Sequence, residues 1–210
     1  MADWETISAL ATAGGTLVLA AATFSAVRSS NRSARVAERA LLAGMRPLLV
    51  PSLSTDPDQK VLWRGGRTAV VGGGRAVAVH DDGVVYLAIS MRNVGSGLAL
   101  VHGWSVTPSW LGAEDPRTEL DAFRRQIIDL YVPAGGPGYW EGALRDADDP
   151  RHAQLVAVIE APEMFTIDVL YGDQDGGQRT ISRYVVLPAS DRGWYCQIVR
   201  HWDVDRADPR

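Results

Sequence analysis

From Ile7 to Val27 the chain carries only apolar, small and hydroxyl side chains, and none of them ionises. At about 1.5 Å per residue a helix over that run is roughly 30 Å long, the thickness of a bilayer's hydrocarbon core. Its drive to insert rests on Leu10, Leu17, Val18, Leu19 and Phe24, because most of its other residues are Ala, Ser, Thr or Gly. A cleaved signal peptide would carry a basic segment ahead of the run, where Asp3 and Glu5 stand instead. An alanine-rich helix also suits a soluble core, but the length and the flanking charges favour a single-pass transmembrane helix. Ala34, Ala37, Ala40 and Leu41 keep a helical spacing beyond it, and Gly44 and Pro47 supply the stop. The expected order is a tail at 1–6, a span at 7–27, a basic helical stalk at 28–45, a β domain at 46–205 and a tail at 206–210.

After Arg46 the period shortens. Leu48–Val50 begins a first strand. Thr68–Val71 and Ala76–Val79 flank Gly72-Gly73-Gly74, which reads as a hairpin or loose glycine turn. Val84–Val94 alternates most clearly, with Val85, Leu87, Ile89 and Met91 set against Tyr86, Ala88, Ser90 and Arg92. A turn over Asn93–Gly97 leads to Leu98–Thr107, where Leu98, Leu100 and Trp104 are expected to share a face. Leu120, Phe123, Ile127 and Leu130 suggest a short helix within Glu119–Leu130. Gln154–Glu160, Thr166–Tyr171, Arg179–Leu187 and Trp194–Trp202 read as further strands, although Ile181, Tyr184 and Val186 break strict alternation. Asp173–Gly177 carries a hairpin signal, since Asp-Gly accepts positive φ. Many short strands with Gly, Pro and Asp turns predict a mainly β fold. The expectation is an antiparallel immunoglobulin-like β-sandwich preceded by the transmembrane helix and stalk.

Charge adds orientation. Arg28, Arg32, Arg35, Arg39 and Arg46 follow the span closely, while the residues ahead of it are acidic. Positive flanks stay on the cytoplasmic side, so the β domain is expected at the cytoplasmic face of the cell membrane. Cys196 is the single cysteine, which fits a reducing compartment. The same arginines suit anionic lipid headgroups. Ala11 and Gly15, or Ala22 and Ala26, would let two such helices approach closely and self-associate. Hydrophobic residues at 46% and charged ones at 22% predict a folded domain, and a net charge of −4 argues against nucleic acid as partner. All basic residues but Lys60 are arginine, which points to a high-GC bacterial genome.

No motif assigns a reaction or a cofactor. Asn93-Val94-Gly95-Ser96-Gly97 precedes a strand pattern, so no helix N-terminus is available for a dinucleotide phosphate. Asp173, Asp175 and Gly176 imitate the start of a calcium loop without its distant Glu. His80, His102, His152 and His201 fall in four separate segments. An enzyme would require two or more of them to meet an Asp or Glu in one cleft, as in a hydrolase or metal-dependent enzyme. Core packing accounts for most of Trp104, Trp110, Tyr139, Trp140, Trp194, Tyr195 and Trp202. Tyr139, Trp140, His201 and Trp202 are the residues proposed for an interaction face. Binding through such a face, to a protein partner, predicts an exposed aromatic or apolar patch and no converging polar pocket. An outward-facing, envelope-associated structural domain is the remaining alternative, against the charge rule.

Two stretches carry a resemblance. Arg125–Pro133 with Tyr139-Trp140-Glu141-Gly142-Ala143 forms one, and Leu170–Tyr184 with Arg200-His201-Trp202 forms the other. With the apolar span and the Arg46-Pro47 junction they resemble a group of uncharacterised actinobacterial single-pass membrane proteins. That resemblance implies architecture and source, with no activity or site residues attached. Asn93-Val94-Gly95-x-Gly97-x-Ala99 also resembles a strand–turn–strand element of bacterial immunoglobulin-like domains.

Overall fold

The computed structural model describes residues 3–206, which divide between two units, one ending at Gly44 and one beginning at Met45. In the first unit a single helix, α1 (Trp4–Gly44), runs without a break through the apolar segment and the basic residues after it. It is long and apolar enough to cross a membrane. Thr12, Thr16, Thr23 and Ser25 donate to the carbonyls of Ser8, Thr12, Leu19 and Ala22, so these hydroxyls are satisfied within the helix. Internal satisfaction is what a hydrocarbon environment requires of polar groups. The side chain of Arg39 and most of the two expected tails lie outside the described residues.

The second unit is mainly antiparallel β. Its strands are β1 (Leu49–Pro51), β2 (Gln59–Leu62), β3 (Thr68–Val71), β4 (Arg75–Asp81), β5 (Val84–Asn93) and β6 (Ala99–Thr107). There follow β7 (Arg124–Arg125), β8 (Tyr131–Val132) and β9 (Pro137–Leu144), then a helix, α2 (Pro150–Glu160). The chain closes with β10 (Phe165–Gly172), β11 (Thr180–Pro188) and β12 (Trp194–Asp203). One sheet has the path β1-β5-β4-β12-β11-β10-β6-β7, with β9 on the other edge of β5 and β8 on β6. A second sheet holds β2 and β3 alone.

The ends of the large sheet face each other across the core, consistent with a sandwich. Trp104 on β6 meets Trp140 on β9 edge to face at 5.4 Å, and Leu87, Ile89, Ile167, Val169, Tyr184 and Val186 fill the space between. The alternation read in β5 is present, but both of its faces are buried. Val85, Leu87, Ile89 and Met91 point into the main core, whereas Tyr86 and Ala88 pack beneath Val61, Trp63 and Val71 of the β2–β3 hairpin. Trp63 is 1% exposed, and its indole N–H lies against the carbonyls of Leu87 and Gly142.

Four local expectations are corrected. Of the two forms expected of Gly72–Gly74 the loose turn is present, with the Arg75 amide on the Gly72 carbonyl, and the hairpin is not: β3 pairs with β2, β4 pairs with β5, and the glycines carry the chain from one sheet to the other. A Cβ at Gly73 would lie 1.8 Å from the Leu53 carbonyl oxygen, so that crossing needs glycine. Gln154–Glu160 is helical rather than extended. Asp149 caps α2 by accepting from the Arg151 amide, Pro150 opens the first turn, and Leu155 and Val158 turn inward. Glu119–Leu130 is not an α-helix. After a 3₁₀ turn at Leu120–Ala122 its backbone joins the edge of β6, with the Gln126 amide on His102 O and the Val101 amide on Leu130 O. Sheet pairing wins because Ile127 has no core to enter and is 77% exposed. Finally, the buried face of β6 is Ala99, Val101, Trp104 and Val106, since a bulge at His102 shifts the register and turns Leu98 and Leu100 away.

The Asn93–Gly97 turn fastens the start of the domain. Asn93 Oδ1 accepts from the amides of Leu48 and Gly95, and its Nδ2 donates to the carbonyls of Gly97 and Val132. Arg46 reaches Asp203 at 2.7 Å and Thr180 at 3.0 Å. The Asp173–Gly177 hairpin joins β10 to β11, with Gly176 at φ +72° and Asp173 Oδ1 accepting from the Gly177 amide. Asp173 is thus occupied by its own turn.

Candidate functional site: an arginine-rimmed cleft

Three short segments shape a concavity of the β domain that four arginine residues line. The turn after Trp63 brings Arg64 and Gly65, the β6 edge brings Arg124 to Ile128, and the end of β9 brings Glu141 to Arg145. The cleft between them has a volume of about 470 Å³ and Trp104 forms part of its floor. Gly142 is required there, because a Cβ would stand 2.7 Å from the Trp140 ring and 2.9 Å from that of Trp104.

Four arginines line this space. Arg124 pairs with Asp149 at the start of α2 and lies 5.6 Å from the Trp104 ring centre. Burial and nearby Arg151 bring its pKa down. Arg145 donates to the Arg64 carbonyl oxygen and stacks near Tyr86. Among the described residues Arg64, Arg125 and Arg145 have no carboxylate bound to them within ion-pair distance. Glu141 is only 7% exposed, and burial pushes its carboxyl up to about 7, with Arg145 pulling the other way. Burial and the Glu141 charge also raise the neighbouring Tyr139 hydroxyl. Gln126 donates from Nε2 to the Glu141 carbonyl, whereas its Oε1 is buried without a partner. Ile127 and Ile128 stand exposed at the lip.

A second concavity, of about 630 Å³, is lined by Pro108, Trp110, Pro162, Met164, Leu187 and Pro188. Trp110 and Met164 are exposed there, which supplies an apolar patch of the expected kind. The arginine cleft, by contrast, is a converging polar pocket, and it corrects the expectation that binding comes without one.

The residues proposed for an interaction face are dispersed. Trp140 is 0% exposed within the core and Trp202 is also buried, so neither ring offers a surface. Tyr139 is half-buried against the hairpin layer. His201 Nδ1 lies 2.6 Å from Ser182 Oγ, which in turn meets the Tyr171 hydroxyl at 2.9 Å. Ser182 is fully buried, so this serine–histidine contact is part of an internal network that ends on the Leu49 amide. His80 and His152 do meet, edge to face at 5.8 Å, with His80 4.0 Å from Glu160. His152 Nε2 is 3.0 Å from the Gly83 carbonyl and ties α2 to the β4–β5 turn. Among the described residues no set of three His, Cys, Asp or Glu side chains is placed to hold a metal ion. His102 lies at the β6 bulge, where burial lowers its pKa, and Cys196 is buried, its thiol pushed far up by that burial.

Fold and site together define a mainly antiparallel β domain joined to a helix of membrane-spanning length. No protein-family model, no curated protein and no solved structure matches the chain.

Proposed function

We propose that the protein is a single-pass membrane protein that acts by binding, with its β domain at the cytoplasmic face of the cell membrane. The cleft carries the binding reading: Arg64, Arg125 and Arg145 converge from separate segments with no carboxylate bound to them, an arrangement suited to a ligand of opposite charge. Orientation is supported by Arg28, Arg32 and Arg35 after the apolar run, with acidic residues before it. The finer fold reading is an immunoglobulin-like sandwich, and the arginine-rich composition with the stretches quoted above supports an actinobacterial source. The bilayer is the first partner, and close approach of α1 helices through their small residues would make a second copy another.

Paired reporter fusions after Arg210 test the placement. A fluorescent fusion with an inactive alkaline phosphatase counterpart is the expected pattern, and an active phosphatase overturns it. Membrane-tethered hydrolysis receives less support, because Ser182 beside His201 is inaccessible and the His80–His152 pair holds α2 in place.

A further inference from the structure

We propose that the arginine-rimmed cleft is a binding site for a phosphate monoester, whose dianion is held by Arg64, Arg125 and Arg145 and whose organic body lies against Trp104, Ile127 and Ile128. The inference rests on the binding reading above and gives it a ligand class. It is independent of which side of the membrane the domain faces.

Charge is the first argument. Arg124 is balanced by Asp149, but the other three guanidiniums leave the cleft with an excess of positive charge. A phosphate dianion offers several oxygens in different directions, so guanidiniums arriving from three segments can each find one. A single carboxylate presents less charge and fewer directions. Polar satisfaction is the second argument. Gln126 is nine-tenths buried, its Nε2 is committed to the Glu141 carbonyl, and its Oε1 has no donor. A hydroxyl on the ligand's body would supply one, which favours a polyol phosphate over inorganic phosphate. Shape is the third. Trp104 and the two exposed isoleucines give the body an apolar wall beside the guanidiniums.

Glu141 adds a consequence. Tyr139 on its own strand and Arg145 at the strand's end act on its carboxyl, and Arg64 from the hairpin side with Arg124, Arg125 and Gln126 from the β6 edge line the same cleft, with Asp146 and Asp149 on Arg124. An ionised Glu141 opposes a bound dianion, so binding draws a proton onto it. Affinity therefore rises as pH falls from above 8 toward 7, a window in which the phosphate ester itself stays largely dianionic because its second pKa is about 6.

Glycerol 3-phosphate and phosphatidic acid carry the same phosphate monoester, one in solution and one on a lipid. The full chain in phosphatidylcholine nanodiscs is titrated with glycerol 3-phosphate by calorimetry. In a second preparation phosphatidic acid replaces part of the lipid, and hydrogen exchange is read across residues 124–128. Arg64→Ala and Arg125→Ala are the test variants, since both side chains are exposed and outside the core. Each is expected to weaken binding about tenfold or more, the weight of one charged hydrogen bond. Glu141→Gln is expected to flatten the pH dependence. Saturable binding of glycerol 3-phosphate that both arginine variants weaken supports a soluble ligand. Protection only with phosphatidic acid, lost in both variants, supports a lipid headgroup. No response to either probe, or a response that both variants retain, overturns the proposal.

Discussion

The guanidinium of Arg183 and the carboxylate of Asp168 form a two-pronged ion pair inside the protein, with Nε on Oδ1 and Nη2 on Oδ2, each at 2.9 Å. Neither side chain is more than 2% exposed. They stand on adjacent strands, on the face of the sheet away from the main core. Arg183 also donates to the carbonyls of Gly112, Asp115 and Pro116, stacks over Trp202, and thereby draws the segment after β6 across this face. Thr118 completes the carboxylate's shell at 2.7 Å. Removing one partner leaves a buried charge and several carbonyls unpaired, so Arg183→Met is expected to cost about 3–5 kcal/mol. Arg183→Lys recovers little, because an ammonium cannot reproduce the fork. Denaturant unfolding of the full chain in detergent measures both.

Asn93 fills all four of its principal hydrogen-bonding positions on backbone groups. Asn93→Asp keeps the acceptor side and places an oxygen against the carbonyls of Gly97 and Val132. Each buried group left unpaired costs about 1–3 kcal/mol, so the variant is expected to unfold at clearly lower denaturant. Gly97→Ala should be worse, since a Cβ there would stand 1.7 Å from the Met45 carbonyl oxygen. Comparing the two unfolding midpoints checks the ranking.

Gly142→Ala places a methyl group between two buried indole rings. One of the rings must shift to admit it, and overpacking of this kind costs about 1–3 kcal/mol. The expected signature is a changed near-ultraviolet circular dichroism spectrum together with a lower melting temperature.

Glu141 gives the ligand-free domain a stability that depends on pH. Its folded pKa, about 7, lies above the ordinary 4.5, so below about 4.5 the carboxyl is protonated in both folded and unfolded chains. Between those values the unfolded chain ionises first, and native stability falls as pH rises until the loss is complete above about 7. Water in the open cleft screens the effect, which leaves about 1–2 kcal/mol. Glu141→Gln is expected to remove that slope and to be the more stable protein at pH 8. Melting curves across this range decide it, and an unchanged slope would contradict the assignment.

The strands that pair along most of their length were legible in the sequence. In β5, β10 and the first half of β12 the apolar residues recur with the pleat, and Asp175-Gly176 marks the hairpin that joins β10 to β11. Elsewhere a short pattern suited two structures. Leu155, Val156, Val158 and Ile159 read equally as a strand, and the deciding signal was the Asp149-Pro150 pair ahead of them, a helix cap followed by its first-turn proline. Leu120, Phe123 and Ile127 keep a helical spacing that no core rewards. The bulge at His102 and the bulge between β11 and β12 reverse which side chains face inward, and alternation alone carries no trace of them. The cleft was hidden for a different reason. Arg64, Arg125 and Arg145 are isolated in the chain and come to one cleft only through the packing of the β2–β3 hairpin and the edge pairing of β7, which no local pattern in the sequence specifies. Glu141 sits in a strand pattern that gives no hint of its burial.

Cysteine accessibility in intact cells tests most directly whether the domain is tethered at the cytoplasmic face. With Cys196 replaced by alanine, Thr55→Cys puts a single thiol in an exposed loop of the β domain. A membrane-impermeant maleimide is expected to leave that thiol untouched in intact cells and to label it once the membrane is opened. Labelling in intact cells would put the domain outside and contradict the account.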